Sequence, residues 1–200
     1  HEIWQPQLDY FKDNTTISYD ILGHGKTPLN KSIISFDDFS EQLINLLNEL
    51  KFSKIHLIGF SIGSLIARNF AVKYNERLKS LTLLASIFKR SEEQQKIVND
   101  RFSLAKKNLK LSRQALKRWF SDKYLEKNPG TYEKISSILE KNNMENFLKV
   151  YELFIFHKNN ENFEKIKVNT LIMTGENDIG STLDMSKKLC EVINNSQLKV

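Results

Sequence analysis

Cysteine is nearly absent from this chain of 200 residues, which contains Cys190 and no other. A single cysteine can form neither an internal disulfide nor a cysteine-based zinc site, so the sequence is typical of a reducing compartment and we expect a cytoplasmic location. Long apolar runs are absent as well, because no stretch approaches the roughly 18 residues that a membrane helix needs. The sequence therefore predicts no membrane span.

No signal peptide is visible, since no basic segment followed by an apolar run comes after His1, and one that preceded His1 would lie outside this sequence. The composition, 40% hydrophobic and 27% charged, is typical of a globular protein and excludes disorder as the default state. Two hundred residues can bury one sizeable core, or a core with an inserted subdomain.

Positive charge is concentrated in the middle of the chain. Residues 89–167 contain 18 lysines and arginines against 11 aspartates and glutamates, a net +7, whereas the remainder is near neutral at −1. One interpretation is a basic lid that attracts anionic substrates. The simpler one, which we favour, is that lysines coat solvated helix faces. No nucleic-acid-binding motif accompanies the charge, so we expect no nucleic-acid partner.

Strand and helix patterns alternate in the first part of the chain. A short strand is predicted at 16–22, and Ser35 opens a helix with an apolar stripe. The near-continuous apolar run Ile55–Phe60 predicts a strand buried on both faces, followed by a helix over 62–74 and a strand over 78–85. Such alternation is typical of a parallel sheet with flanking helices.

Only helical periodicity follows, over 91–158, with apolar stripes that predict packing between helices. Those stripes are Val98, Phe102, Ala105 and Leu109; Leu111, Ala115, Leu116, Trp119 and Phe120; and Met144, Phe147, Leu148, Tyr151 and Ile155.

The α/β pattern then returns, with a strand at 169–174, a helix at 182–193 and the opening of a strand at 198–200. The sequence thus predicts the α/β class: a mostly parallel sheet interrupted by an all-helical insertion. We expect residues 1–88 and 168–200 to form the sheet domain and residues 89–167 the helical cap.

A candidate nucleophile lies in Gly59-Phe60-Ser61-Ile62-Gly63, directly between a predicted strand and a predicted helix. A G-x-S-x-G sequence in this context places the serine on a sharp, strained turn with its hydroxyl above the sheet. We expect glycine at both flanking positions because side chains there would collide. The following helix directs the Ile62 N–H toward developing negative charge, as an oxyanion donor.

A candidate acid, Asp178, follows the predicted strand at 169–174 and precedes a Gly-Ser loop. A serine nucleophile needs a histidine to take its proton and a carboxylate to orient that histidine. The alternative role for Asp178 is a turn or helix cap. Asp184 is expected to be a capping or surface charge, and Asp20 to brace the loop at Gly23–Gly25.

Three segments resemble the α/β-hydrolase fold superfamily, and the resemblance covers nearly the whole chain. Asp20-Ile-Leu-Gly-His-Gly-Lys-Thr-Pro is similar to the family's D-x-x-G-H-G-x-S loop, with Thr27 in place of serine. Residues 58–64 resemble the nucleophile elbow, with Ser64 where a second glycine often stands. Residues 174–182 resemble the G-x-x-D segment that contains the triad acid.

The resemblance is closest to the carboxylesterase and enol-lactonase-like branch, and it implies a chain truncated at both ends. The family order is Ser, acid, His, yet no histidine follows Asp178, so we expect the base beyond Val200 and predict this segment alone to be inactive. The second oxyanion donor is expected before His1. His56 is expected to pack against a helix, and His157 to be exposed.

The implied function is hydrolysis of a small-molecule ester or lactone through an acyl-enzyme on Ser61, with no metal or organic cofactor. Other chemistry on the same triad stays open: thioester cleavage, carbon–carbon bond hydrolysis or acyl transfer. A non-catalytic binding protein that keeps the fold is the alternative from another class. The expected partner is a small-molecule substrate, anionic if the basic lid attracts it, and the sequence does not indicate an oligomeric state.

Overall fold

The computed structural model describes residues 1–107, 116 and 119–200. The chain is divided into two compact units. One, here called the helical unit, consists of His1–Ser32 and Asp100–Glu152; the other, the sheet unit, consists of Ile33–Asn99 and Leu153–Val200. This division differs from the boundaries expected from the sequence, because the first 32 residues group with helical segments. The division into a core and a cap stays a prediction.

The described α-helices and strands follow the predicted alternation. The helices are α1 (Gln5–Tyr10), α2 (Phe36–Glu49), α3 (Ile62–Lys73), α4 (Glu92–Lys107), α5 (Asp122–Lys127), α6 (Gly130–Glu140), α7 (Met144–Ile155) and α8 (Leu183–Val192). The strands are β1 (Ile55–Phe60), β2 (Leu78–Leu84), β3 (Thr170–Met173) and β4 (Ser196–Lys199). Short 3₁₀ turns lie at Glu2–Trp4, Asn75–Arg77 and Phe163–Lys165.

The sheet unit is built on one four-stranded sheet in the order β1-β2-β3-β4, and all three pairings are parallel. Helix α3 packs on β1 and β2, α2 packs on α3, and α8 packs on β3 and β4. The parallel sheet with flanking helices is therefore confirmed. Parallel pairing brings the carboxyl ends of all four strands to one edge, where loops of open α/β sheets bind ligands.

Local sequence signals explain why the helices begin where they do. Ser35 starts α2 with a capping box, in which the Asp38 carboxylate accepts a hydrogen bond from the Ser35 N–H at 2.8 Å. Thr182 caps α8 by accepting the N–H of Met185 at 3.3 Å. These side chains satisfy N–H groups that the first helical turn leaves without a partner.

Among the described residues, one face of the sheet is buried, and the opposite face is half-buried on β2 and β3 and exposed on β1. Leu81, Leu83 and Ile172 are fully buried, whereas Ile58 and Phe60 are 44% and 46% exposed. The expectation that β1 is buried on both faces is therefore wrong. Strand β1 lies at the edge of the sheet among the described residues, and burial depends on neighbours that an apolar run by itself does not specify.

The predicted strand at 16–22 is also wrong, because its residues form no regular secondary structure until a turn begins at Leu22. A strand needs a hydrogen-bonded partner. Each of the four described strands pairs only with its neighbours in the sheet unit, whereas residues 16–22 belong to the helical unit. The pairing that a strand requires is absent for residues 16–22 in the described part of the chain.

Aromatic side chains form the interior contacts of the helical unit, as the stripes predicted. The Phe102 ring lies edge-on to the Tyr151 ring, with 5.7 Å between the ring centroids. The Phe147 ring stacks on that of Tyr151, with 5.5 Å between the centroids. Trp119 is an exception at 57% exposure. Stripe positions 109, 111 and 115 lie outside the described residues. Within the described ranges, no helix combines the length and apolar character that crossing a membrane requires.

Candidate active site

Ser61 occupies the junction between β1 and α3 in a conformation that L-residues rarely adopt. Its φ is 53° and its ψ is −119°. The Ser61 N–H donates to the carbonyl of Leu84 at 3.0 Å, and its own carbonyl accepts the N–H of Ser64 at 2.9 Å. A strained residue persists only where its surroundings over-determine it, and here hydrogen bonds hold both sides of the residue. The predicted sharp turn is therefore present in the backbone.

The two flanking glycines have different roles in this turn. A Cβ added at Gly59 would overlap the Gly63 carbonyl oxygen and lie 2.8 Å from the Ala67 Cβ, so the strand and helix approach too closely for any side chain. A Cβ added at Gly63 would meet nothing within 4 Å. The expected collision is confirmed at Gly59 and wrong at Gly63, because the crowding is on the strand side of the turn.

The start of α3 supplies a backbone donor at the residue that follows Ser61. Ile62 is the first residue of this twelve-residue helix, and first-turn N–H groups have no partner within the helix. The positive end of the helix dipole lies at the same place. Ser61 and Ile62 are both half-buried, so solvent still reaches the turn.

Asp178 lies in the loop that leaves β3 at its carboxyl end. Its Oδ1 accepts the N–H of Gly180 at 2.8 Å and the N–H of Ser181 at 2.9 Å, and its own N–H donates to the Gly175 carbonyl at 3.1 Å. The carboxylate therefore closes a turn of its own loop and is half-buried. This turn fixes the carboxylate at the edge of the sheet. The hydrogen bonds agree with the turn role considered from the sequence, and they leave the second carboxylate oxygen for the catalytic role.

A short segment after β2 joins the loops of Ser61 and Asp178. Ala85 has a φ of 47° and donates its N–H to the Met173 carbonyl at 2.8 Å. The Ser181 hydroxyl donates to the Ala85 carbonyl at 2.8 Å. Strand β2 lies between β1 and β3, and strand spacing of about 4.8 Å separates the two outer strands by about 10 Å.

The four histidines are all described, and each contacts residues other than Ser61 or Asp178. His1 bonds Asp20 through its ring Nδ1 at 2.8 Å. His24 is edge-on to Phe147, and burial lowers its pKa, which keeps the ring neutral near pH 7. The expected histidine base therefore stays a prediction.

Two expectations about histidine burial are wrong. His56 is exposed on the open sheet face, where its Nδ1 lies 2.7 Å from the Ser80 hydroxyl. The His157 side chain is only 11% exposed, and its Nε2 lies 3.0 Å from a Glu161 carboxylate oxygen. Alternation along a strand and position at a helix end were too weak to predict which side each ring faces.

The protein-family model described as alpha/beta hydrolase fold matches residues 1–200 of the chain. The chain belongs to the α/β-hydrolase fold family. The predicted resemblance is thereby confirmed, and so is the hydrolase fold itself. The catalytic roles of Ser61 and Asp178 stay predictions.

Two curated relatives of this α/β hydrolase come from Acinetobacter baylyi. The chain is 28% identical over 190 residues to (E)-2-((N-methylformamido)methylene)succinate hydrolase, and the match covers 92% of this chain and 71% of that protein. It is 26% identical over 199 residues to 3-oxoadipate enol-lactonase 2, covering 99% and 74%. Both relatives are named as hydrolytic enzymes.

Solved structures agree on the fold. The enol-lactonase from Burkholderia xenovorans LB400 aligns with a TM-score of 0.88 at 20% identity, covering 98% of this hydrolase and 76% of that chain. An esterase from Exiguobacterium antarcticum aligns with a TM-score of 0.88 at 17% identity, covering 100% and 78%. At these identities the likeness concerns the architecture.

The Asp20 loop of the hydrolase has the structural role that was expected. The Asp20 carboxylate accepts the Lys26 N–H at 3.1 Å, and the Asp20 carbonyl accepts the Thr27 hydroxyl at 2.8 Å. A Cβ at Gly25 would overlap that carboxylate. The Thr27 hydroxyl thus ties the end of this loop to Asp20. Asp184 is a surface charge, paired with Lys188 at 2.7 Å.

An open groove of about 480 Å³ lies in the sheet unit, between the start of α4 and the segment after α7. Four of its lining residues are basic, Lys89, Arg90, Lys96 and Lys158, against one acid, Glu92. Neither Ser61 nor Asp178 lines it. The described residues contain no group of three or more metal-ligating side chains.

The sequence interpretation missed a buried charge cluster around Arg68, on the same helix that begins at the elbow. Arg68 is fully buried and forms an ion pair with Glu161. An arginine in the apolar stretch Leu65-Ile66-Ala67-Arg68 was a visible signal, since arginine is almost never fully buried unless it is paired. Its partner, Glu161, is 93 residues away along the chain, so the sequence alone could not identify the pair.

Proposed function

We propose that this α/β hydrolase cleaves a carboxylic ester or lactone of a small molecule through an acyl-enzyme on Ser61. The observation that carries the proposal is the elbow: a half-buried serine with a φ of 53° at the carboxyl end of β1 and the start of α3. Strain of this kind is retained at functional sites. An ordinary helix cap would not need it.

Each proposed role follows from position. The Ser61 hydroxyl attacks the carbonyl carbon and gives its proton to a histidine, while the Ile62 N–H stabilises the developing oxyanion. Asp178 orients that histidine from the loop after β3. The leaving alkoxide takes the proton from the histidine, and water then releases the acid. The histidine itself stays a prediction.

The names of the relatives support this substrate class. The enol-lactonases act on lactones by name, and the esterase acts on esters. Both reactions pass through a tetrahedral oxyanion at an acyl carbon, which is the species that a serine next to a helix N-terminus stabilises. The mechanism requires no metal or organic cofactor.

The test is labelling of the full-length protein with a fluorophosphonate, which modifies an activated serine. We expect wild type to be labelled and to hydrolyse a small ester, and Ser61→Ala to lose both, with the hydrolysis rate falling by at least about a thousandfold. Absence of wild-type labelling would overturn the proposal and favour a non-catalytic binding protein.

Ser80→Ala is the matched control, because the Ser80 hydroxyl lies 2.7 Å from a nitrogen of His56. It lies on β2, away from a helix N-terminus, so we expect its labelling to equal that of wild type. Labelling that survives Ser61→Ala but disappears in Ser80→Ala would assign the reactive hydroxyl to Ser80 and refute the role of Ser61.

The choice among acyl reactions needs a substrate panel. We expect oxygen esters and lactones to be hydrolysed faster than thioesters or carbon–carbon bonds. A preference for thioesters or carbon–carbon substrates would keep Ser61 as nucleophile and replace the substrate class. Retained labelling without turnover of any panel member would argue for acyl transfer, with water excluded as acceptor.

A further inference from the structure

Arg68 is the most deeply buried charge described in the sheet unit. It lies seven residues after Ser61 on α3 and is 0% exposed. Its guanidinium lies over the rings of Phe88 and Phe163, at 5.8 Å and 5.1 Å from their centroids. The carboxylate of Glu161, which is 8% exposed, neutralises the charge.

This pair is costly to keep in the interior. Burial lowers the pKa of Arg68, and the charge of Glu161 opposes that shift. Burial by itself would raise the pKa of Glu161, but the hydrogen bond from His157 and the charge of Arg68 outweigh it and hold that pKa below its usual value. Among the described residues, Arg68 Nε and Glu161 Oε2 have no hydrogen-bond partner. Replacing such pairs with apolar residues is often neutral or stabilising, so stability is a poor reason for this one.

The hydrogen bonds of Arg68 lead to the catalytic edge of the sheet. Its Nη1 donates to the Ile87 carbonyl at 2.8 Å and lies 3.4 Å from the Ser86 hydroxyl. Ile87 belongs to residues 84–87, which are the last residue of β2 and the three residues after it and are here called the β2 turn. Arg68 therefore ties the middle of α3 to the segment that follows β2.

The same β2 turn contacts both proposed catalytic loops. The Leu84 carbonyl accepts the Ser61 N–H at 3.0 Å. The Ala85 carbonyl accepts the Ser181 hydroxyl at 2.8 Å, and the Ser181 N–H in turn donates to Asp178 Oδ1 at 2.9 Å. A displacement of this turn would therefore move the serine loop and the acid loop relative to each other.

We propose that Arg68 is a positioning residue, which holds the β2 turn so that Ser61 and Asp178 keep their relative placement. Glu161 fixes the guanidinium in the orientation that reaches the Ile87 carbonyl. The inference rests on the proposed roles of Ser61 and Asp178 and concerns a residue that touches neither.

The geometry explains why the residue is arginine. Nη1 donates to Ile87, while Nη2 contacts Glu161 and donates to the Asn159 amide oxygen at 3.1 Å. A planar fork with donors on separate nitrogens reaches both sides at once, whereas a lysine ammonium is a single point charge. We therefore expect Arg68→Lys to recover only part of the function.

The experiment uses the double variant Arg68→Met/Glu161→Met in the full-length protein, because a single change would leave a buried unpaired charge and could prevent folding. The control is Lys73→Met, on the same helix, whose ion pair with Asp37 at 3.0 Å is partly exposed. Each protein is measured for thermal unfolding, kcat and KM on a small ester, and the fluorophosphonate labelling rate.

We expect the double variant to fold with a melting temperature within about 5 °C of wild type. Its kcat and labelling rate should both fall about 10- to 100-fold at a KM within about twofold, because misplaced catalytic groups lower the rate and not substrate binding. The kcat and labelling rate of Arg68→Lys should lie between those of wild type and the double variant. Those of Lys73→Met should match wild type. A folded double variant with a kcat within about twofold of wild type would overturn the proposal.

Amide exchange followed by NMR separates this inference from the proposed function. The backbone amides of Ser61, Ala85 and Ser181 should exchange about tenfold faster in the double variant than in wild type, whether or not the protein hydrolyses esters. In Lys73→Met their exchange rates should equal those of wild type. A wild type that is never labelled would refute the catalytic roles, whereas unchanged exchange in the double variant would refute the positioning role of Arg68.

Discussion

Replacing Gly59 with alanine tests the packing that shapes the elbow. The added Cβ would overlap the Gly63 carbonyl oxygen and lie 2.7 Å from the Gly63 carbonyl carbon and 2.8 Å from the Ala67 Cβ. Two of these atoms belong to the backbone of α3, which cannot rotate away as a flexible side chain would. Strand and helix must therefore separate.

The size of the effect follows from overpacking. Extra methyl groups in a well-packed interior cost about 1–3 kcal/mol, and a clash with backbone belongs at the upper end, about 3 kcal/mol. For a chain of this length that corresponds to a fall in melting temperature of about 6–12 °C. The hydrolysis rate should fall as well, because Ser61 moves with the start of α3.

Gly63→Ala is the matched control in the same motif. Its Cβ would meet nothing within 4 Å, and the residue lies within α3. Alanine in place of a helical glycine is neutral or stabilises by up to about 1 kcal/mol. Urea denaturation of both variants measures the contrast. Equal losses in the two variants, or a wild-type midpoint for Gly59→Ala, would refute the packing argument.

Acid and salt provide two further tests. Because the folded-state pKa of Glu161 is held below its usual value, its contribution to stability is complete above about pH 4.5 and is lost as pH falls through the lower folded value. Melting temperatures between about pH 6 and 3 should therefore fall more for wild type than for Arg68→Met/Glu161→Met; parallel curves would contradict this. If the basic segment attracts anionic substrates, raising salt from about 0.01 to 0.5 M should lower kcat/KM for an anionic ester several-fold and leave a neutral ester unchanged, while equal sensitivity of both esters would remove that hypothesis.

Elements whose signals are local were predicted well. The helix start at Ser35, the helix start at Thr182 and the glycine before Ser61 act within a few residues of themselves, so composition and spacing are sufficient to place them. The position of the strand-to-helix turn at the elbow belongs to this group, whereas the conformation of Ser61 is also held by the carbonyl of Leu84.

Features that depend on a distant partner were not predicted. Residues 16–22 have a strand-like pattern but no described strand to pair with, and β1 lies at a sheet edge with one open face. The burial of His157 and the exposure of His56 likewise depend on which elements pack beside them.

The sequence by itself determined the alternation of strands and helices from Ser35 onward, the class of the sheet and the place of the serine turn, because these follow from periodicity and turn chemistry over a few residues. Only the tertiary structure decided that the Ser61 and Asp178 loops share the β2 turn, and that Arg68 meets Glu161 across 93 residues. Contacts between distant segments arise from packing, and no short stretch of sequence specifies its partner.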